Sequence, residues 1–417
     1  MFERKAKSKI IKGFNNSRIT LINGARQCGK TTLVKQIAEE KSINYITLDD
    51  PQKLQAAKSD PQNFIDFYGS PVIIDEIQYA PELIPYIKQK ADTVNEKGMY
   101  LLTGSSDFYK NVRITESLAG RMLHYELYNL SIAEINNYSE NIINLMFDEN
   151  ISKLVDFNRK FEDKSFNHFI KRIITGGFPE VQNLDKDIRD VWFQSYLESR
   201  ILKDADIFFD IKKTGRILDL ITVLAANNSN LINTNTLAKK LQLDFKTVQK
   251  YISLLEAMFL IKQVPNYSEN IVKQVIKQKK LHFSDTGLVS AVLNISEEKL
   301  ISREENYLGQ LTENYIYTEL QKQSSFINDK VTIYHFRDLR KNEVDFILKN
   351  SENKTIAVEV KSKSVIGKKD ITGILKFAEN YKGDLFRAYV FYSGNEIIPV
   401  ANDKKLKIYL LPAKMLS

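Results

Sequence analysis

The chain has 417 residues, 43% of them hydrophobic and 27% charged, with a formal net charge of +8 at pH 7. That length exceeds what one core ordinarily supports, so several domains are expected. A single cysteine excludes an internal disulfide, no long apolar run suits a membrane span, and the charged amino-terminal segment has no apolar signal core. A cytoplasmic protein with no membrane partner is expected. The positive charge suits a polyanion such as DNA, but a lysine- and asparagine-rich composition explains it equally well.

Residues 17–130 alternate short apolar strands with helical segments, the pattern of a parallel sheet covered by helices. The first strand, around Ile19-Thr20-Leu21-Ile22, runs into Gly24-Ala25-Arg26-Gln27-Cys28-Gly29-Lys30-Thr31-Thr32, which opens a helix. Gly-x-x-x-x-Gly-Lys-Thr between a strand and a helix suits a phosphate-binding loop. Gly24 and Gly29 can take backbone angles closed to other residues, so the loop N–H groups can surround an anion at the positive end of the helix. ATP and Mg²⁺ are the expected ligands, with Lys30 reaching the β- and γ-phosphates and the Thr31 hydroxyl on the metal. A bulky thiol reagent at Cys28 is expected to block nucleotide binding.

Pro71-Val72-Ile73-Ile74 forms a second apolar strand ending in Asp75-Glu76. Side-by-side carboxylates at a strand's end suit a metal ligand, Asp75, and a base for the attacking water, Glu76. A third strand, around Tyr100 to Leu102, ends in Thr103-Gly104-Ser105, so Thr103 or Ser105 is the expected sensor of the terminal phosphate. Arg121, after a helical segment from Ser117, is a candidate arginine finger acting in its own subunit or across a homo-oligomer interface, and a structural salt bridge accounts for it as well.

Residues 131–210 read as a helical connector or lid. There Arg200 and Asp204 lie one turn apart, as an ordinary surface pair or lid residues. Over 211–270 the spacing becomes that of a winged helix-turn-helix: a helix at 216–226, a second within Asn233 to Lys240 with Thr234 as its expected N-cap, a third at 246–255, then a strand. Lys246, Gln249 and Lys250 face outward as candidate DNA contacts. The basic run Lys273 to Lys280 reads as a solvated strand edge.

In the last domain, 271–417, Glu343 to Leu348 and Thr355 to Lys361 form an expected hairpin. Glu359 and Lys361 point to one face of their strand, Asp345 falls on its neighbour, and Glu313 sits on a helix that can cross them. Such a group suits Mg²⁺-dependent phosphodiester hydrolysis, with Asp345 and Glu359 on the metal and Lys361 steadying the phosphate. An alternating charged hairpin is the other reading.

With these motifs in this order, together with Asp285-Thr286-Gly287-Leu288, the chain resembles a prokaryotic AAA-type P-loop ATPase family. Its members carry a C-terminal PD-(D/E)XK nuclease-like domain, known as domain of unknown function 4143. The resemblance implies an α/β chain with a parallel P-loop NTPase sheet and helices on both faces at 1–130. A winged-helix module and a restriction-endonuclease-like α/β domain follow. It implies an ATPase using Lys30, Thr31, Asp75, Glu76, Thr103 and Arg121, coupled to a nucleic-acid-binding or nuclease-like domain with Asp345, Glu359 and Lys361. Because nuclease-like folds also survive as binding modules, a nucleotide-gated DNA- or protein-binding switch stays open beside it.

Overall fold

The computed structural model describes residues 2–105, 118, 120–198, 215–270, 274, 277–302, 307–402 and 406–417. The expectations on Ser117, Arg200, Asp204 and Lys273 lie outside the described residues. The chain divides into two compact units, Met1–Leu130 with Ala257–Leu260, and Ser131–Glu256 with Ile261–Ser417.

The first unit holds strands β1 (Ile19–Asn23), β2 (Asn44–Thr47), β3 (Val72–Asp75), β4 (Tyr100–Gly104) and β5 (Met122–Glu126). All pair in parallel, in the order β2-β3-β4-β1-β5. Central strands β1, β3 and β4 are buried along their whole length, as continuous apolar runs in a doubly covered sheet require, while the edge strands carry exposed positions. Leu21, Ile74 and Leu102 share a core with Ile87 and Ala91 of the covering helix. From β1 the chain leaves towards β2 at one edge, and from β4 towards β5 at the other. Reversal at such a point opens a crevice at the carboxyl ends of β1 and β4, where α/β sheets bind ligands. Helix α1 (Lys30–Lys41) starts there, and α2 (Ile84–Val94) leads back towards β4.

In the second unit, the helices of 131–198 do not form a module apart; they pack on the carboxyl-terminal half. The expected connector is thus built into this unit. Glu319 and Gln323 accept hydrogen bonds from the first N–H groups of two of its helices, Ile132 N at 3.0 Å and Ile142 N at 2.9 Å. These would otherwise be unpaired donors in a buried place. Helix α3 (Phe166–Thr175) ends at Gly176, whose φ is +71°. There the buried Asp285 receives Gly177 N at 2.8 Å and Leu288 N at 3.1 Å, so one carboxylate joins the Thr175-Gly176-Gly177 break to the Asp285-Thr286-Gly287 motif. A Cβ at Gly287 would lie 2.6 Å from the Thr175 carbonyl oxygen, which explains the glycine.

Three helices follow, α4 (Gly215–Ala226), α5 (Thr234–Leu241) and α6 (Phe245–Ala257), then the antiparallel pair β6 (Ile261–Val264) and β7 (Lys280–Phe283). Helix α5 buries Leu237, Ala238 and Leu241; α6 buries Val248, Tyr251, Ile252, Leu254 and Leu255 and leaves Lys246, Gln249 and Lys250 exposed. The cap of α5 is Asn233, whose amide oxygen accepts from Thr236 N at 3.1 Å, and not Thr234; the asparagine oxygen, one bond further from the backbone than a threonine hydroxyl, reaches the third helical N–H from the residue before the helix. The chain ends in a six-stranded mixed sheet of β8 (Thr332–Arg337), β9 (Glu343–Lys349), β10 (Thr355–Lys361), β11 (Leu385–Tyr392), β12 (Ile398–Val400) and β13 (Ile408–Pro412), in the order β12-β13-β11-β10-β9-β8. The long helix before it is α7 (Leu308–Phe326).

Candidate functional site

Beyond β1 the backbone must turn sharply against the segment after β5. A Cβ at Gly24 would stand 2.1 Å from the Leu127 carbonyl oxygen, so only glycine permits the approach. Gly29 has a φ of +99° just before α1, an angle natural to glycine alone. Arg4 braces the loop from outside: buried, it donates to the Cys28 carbonyl at 2.7 Å and to that of Tyr128 at 2.6 Å. Lys30, at the first turn of α1, directs its ammonium back over the loop onto the Gly24 and Ala25 carbonyls, each at 2.9 Å. Arg26 donates to the Tyr79 hydroxyl at 2.7 Å, while Gln27 and Thr32 are exposed. Cys28 corrects one expectation. Its thiol is fully buried and points to the Leu127 carbonyl oxygen at 3.4 Å, so a bulky reagent meets protein before it meets sulfur.

Strand β3 delivers Asp75 and Glu76 beside that loop. The Asp75 carboxylate receives the Thr31 and Tyr45 hydroxyls on one oxygen, both at 2.8 Å, and the Thr103 hydroxyl on the other. Burial first, then the Asp75 charge, pushes the Tyr45 phenol well above its usual range, so it stays a donor. Thr103 also accepts from the Glu76 N–H at 2.9 Å. Glu76 itself sits in the left-handed region at φ +59°, an uncommon place for a non-glycine residue that turns its side chain away from the strand's line. The Gln78 amide nitrogen donates to the Glu76 carboxylate and to the Ser105 hydroxyl, the latter at 2.9 Å. Lys30, Thr31, Asp75, Glu76, Thr103 and Ser105 are therefore gathered at one end of the sheet.

Arg121 is not among them. It precedes β5, whose first residue Met122 pairs with Ile19 at the amino end of β1, whereas the loop follows the Asn23 end. Four strand residues, roughly 13 Å, separate the two levels. There Arg121 pairs with Asp92 of α2, which Arg18 also approaches at 3.5 Å. The salt-bridge reading fits its place within this chain.

In the second unit β9 and β10 form the expected antiparallel hairpin, bringing Asp345, Glu359 and Lys361 together. Asp345 accepts the Val360 N–H at 2.8 Å, and Lys361 bonds Glu359 at 2.5 Å. Burial, helped by the Asp345 charge, pushes the Glu359 carboxyl up to about 8. Glu313 on α7 joins them, as expected, but through a residue read as a solvated edge. Lys280 of β7 is only 3% exposed, and its ammonium lies 2.6 Å from Glu313, 2.9 Å from Glu343 and 3.2 Å from Asp345. Burial opposes its charge, but the three carboxylates outweigh burial and hold it well above the ordinary lysine range. His282, fully buried beside it, is driven well below the usual histidine range by burial and then by that ammonium.

The two carboxylate groups differ in how well their donors suit a divalent cation. At Asp75 the donors suit Mg²⁺: a threonine hydroxyl and an aspartate oxygen already face one another beside the glycine loop. At Asp345 and Glu359 they do not. Both Asp345 oxygens and one of Glu359 are engaged by protein donors, and among the described residues no group of three or more histidine, cysteine or acidic side chains is placed to hold a metal.

A five-stranded parallel sheet with a glycine loop and paired carboxylates at its carboxyl end defines an AAA-type P-loop ATPase-like domain, and residues 16–136 match the family model described as AAA domain. Two domains of unknown function match further on, DUF8612 over 166–299 and DUF4143 over 308–416. An uncharacterized protein of Haemophilus influenzae is 24% identical over 402 residues, 91% of each chain. An uncharacterized protein of Mycobacterium tuberculosis is 23% identical over 319 residues, 76% of this chain; the match spans 65% of that relative's length. Among solved structures, a Walker-type ATPase of Pyrococcus abyssi is 15% identical, covering 70% of this chain and 96% of its own, with a TM-score of 0.44. Among the described residues no helix is long and apolar enough to cross a membrane.

Proposed function

We propose that the chain hydrolyses ATP with Mg²⁺ at the phosphate loop and uses nucleotide state to control its carboxyl-terminal unit. The carrying observation is the hydrogen-bonded set Thr31–Asp75–Thr103–Glu76 beside Lys30, at the carboxyl ends of β1, β3 and β4. The loop N–H groups from Gly24 to Thr32 bind phosphate oxygens, and Lys30 leaves the Gly24 and Ala25 carbonyls to neutralise the β- and γ-phosphates. Thr31 and Asp75 hold Mg²⁺, which when bound offsets charge on the phosphates. Glu76 orients a water and takes its proton as the oxygen bonds to the γ-phosphorus and the bond to the β-phosphate oxygen breaks. Gln78 and Thr103 set the position of that carboxylate. Comparing Glu76→Gln with wild type tests this: turnover falls by roughly 10²- to 10⁴-fold with ATP binding kept, and unchanged turnover removes Glu76 from the mechanism.

For the carboxyl-terminal unit we favour the binding reading over the nuclease reading, because protein donors already engage the carboxylates that cleavage would use. The α4–α6 segment with β6 and β7 acts as a winged helix whose exposed Lys246, Gln249 and Lys250 meet DNA phosphates or an acidic protein surface. Within this reading 1–130 is the ATPase, and the helical connector (131–210), the winged helix (211–270) and the nuclease-like domain (271–417) are functional segments and not separate compact units. Arg121 acts, if at all, on a neighbouring copy in a homo-oligomer, and the site operates in the cytoplasm.

A further inference from the structure

We propose that Lys280 is the built-in counter-cation of the carboxyl-terminal acidic cluster, standing where a nuclease would need a divalent ion, so that this unit folds without a metal at Asp345 and Glu359. The proposal concerns the second unit alone and stands apart from the ATPase reading.

Lys280 reaches the cluster from β7, outside the hairpin that carries the motif. Its ammonium makes short ion pairs with Glu313 of α7 and with Glu343 and Asp345 of β9, three carboxylates from two elements. A hard divalent ion needs about six oxygens in a fixed shell. Here Asp345 spends one oxygen on Lys280 and the other on the Val360 N–H, and Glu359 spends one on Lys361. Of the four oxygens of Asp345 and Glu359, only the second Glu359 oxygen, buried, has no hydrogen-bond partner, while the Glu313 Oε1 faces the Lys280 ammonium at 2.6 Å. One free oxygen does not make a metal shell. The physical requirement the cluster does meet is neutralisation: several carboxylates buried together need positive charge, and an ammonium fixed by the fold supplies it permanently. A permanent cation cannot be drawn off by chelators, nor can it offer open positions to a phosphodiester and a water.

The test counts bound Mn²⁺ by electron paramagnetic resonance on the full chain without nucleotide, in an Asp75→Asn background that takes the phosphate-loop carboxylate out of the count. Expected is equal Mn²⁺ uptake with and without Asp345→Asn, and a Tm that Mn²⁺ does not move. Lys280→Met is expected to lower Tm, to gain a Mn²⁺ site and to recover Tm when Mn²⁺ is added; Lys280→Arg, which keeps the charge, gains none. A Mn²⁺ site in the parent that Asp345→Asn removes overturns the proposal, and so does a folded Lys280→Met that takes up no Mn²⁺. Should Lys280→Met fail to fold, the parent against Asp345→Asn still decides.

Discussion

The Thr31 hydroxyl donates to the Asp75 carboxylate at 2.8 Å, tying the first turn of α1 to the end of β3 across 44 residues of sequence. That bond places the loop that would hold phosphates against the strand that would hold the metal.

Thr103 is the hinge of this arrangement, since one hydroxyl serves both Asp75 and the Glu76 N–H. Replacing it with the near-isosteric valine leaves two buried groups short of a partner, at about 1–3 kcal/mol. Thr103→Val should lower kcat on the order of 10- to 100-fold with a smaller change in KM. A change in KM alone would assign Thr103 to binding and not to positioning.

Arg4 holds the loop through two carbonyls. Arg4→Met keeps the apolar stem and removes both donors, and we expect a loss of about 1–3 kcal/mol in denaturant unfolding of the first unit, together with weaker ATP binding. Equal stability and affinity would show that the brace does nothing.

Asp285 satisfies Gly177 N and Leu288 N in a buried corner. Asp285→Ala should destabilise the second unit by about 3 kcal/mol while leaving ATP binding in the first unit unchanged, as seen by calorimetry and nucleotide titration. Loss of ATP binding would instead tie this corner to the nucleotide site.

His335 is fully buried, and burial lowers its pKa from 6.5 to about 4. Its folded value lies below its unfolded one, so the unfolded chain binds the extra proton and stability falls as pH drops from about 6.5 towards about 4. The loss approaches about 3 kcal/mol and levels off below the folded value. His335→Gln, which keeps a donor for the Gln278 carbonyl, should flatten that part of the Tm–pH curve; an unchanged slope would move the effect to other groups such as His282.

Much of the first unit was legible because its chemistry is local in sequence. The glycine loop, Lys30 and Thr31 are contiguous, Asp75 follows an apolar strand directly, and alternation of strands and helices gave the parallel sheet. Arg4, Tyr45 and Gln78 escaped because nothing in their own neighbourhood marks them. Arg4 acquires its role only when the chain brings Tyr128 beside it, and Tyr45 only when β2 pairs with β3. Lys280 was misread for a related reason: in a basic run it looks solvated, yet β7 turns it inward towards carboxylates 33 and 65 residues away, pairs that a linear pattern does not encode. In the hairpin, periodicity did place Asp345 against Glu359, since a strand's two-residue repeat fixes which side chains share a face.

Under the proposed function, the first unit grips ATP through Lys30 and its loop. Titrating the purified full chain with a fluorescent ATP analogue in Mg²⁺ tests it most directly: saturable binding is predicted for wild type and loss of it for Lys30→Ala, with circular dichroism unchanged. No saturable binding by folded wild-type protein, or equal binding by folded Lys30→Ala, would contradict the account.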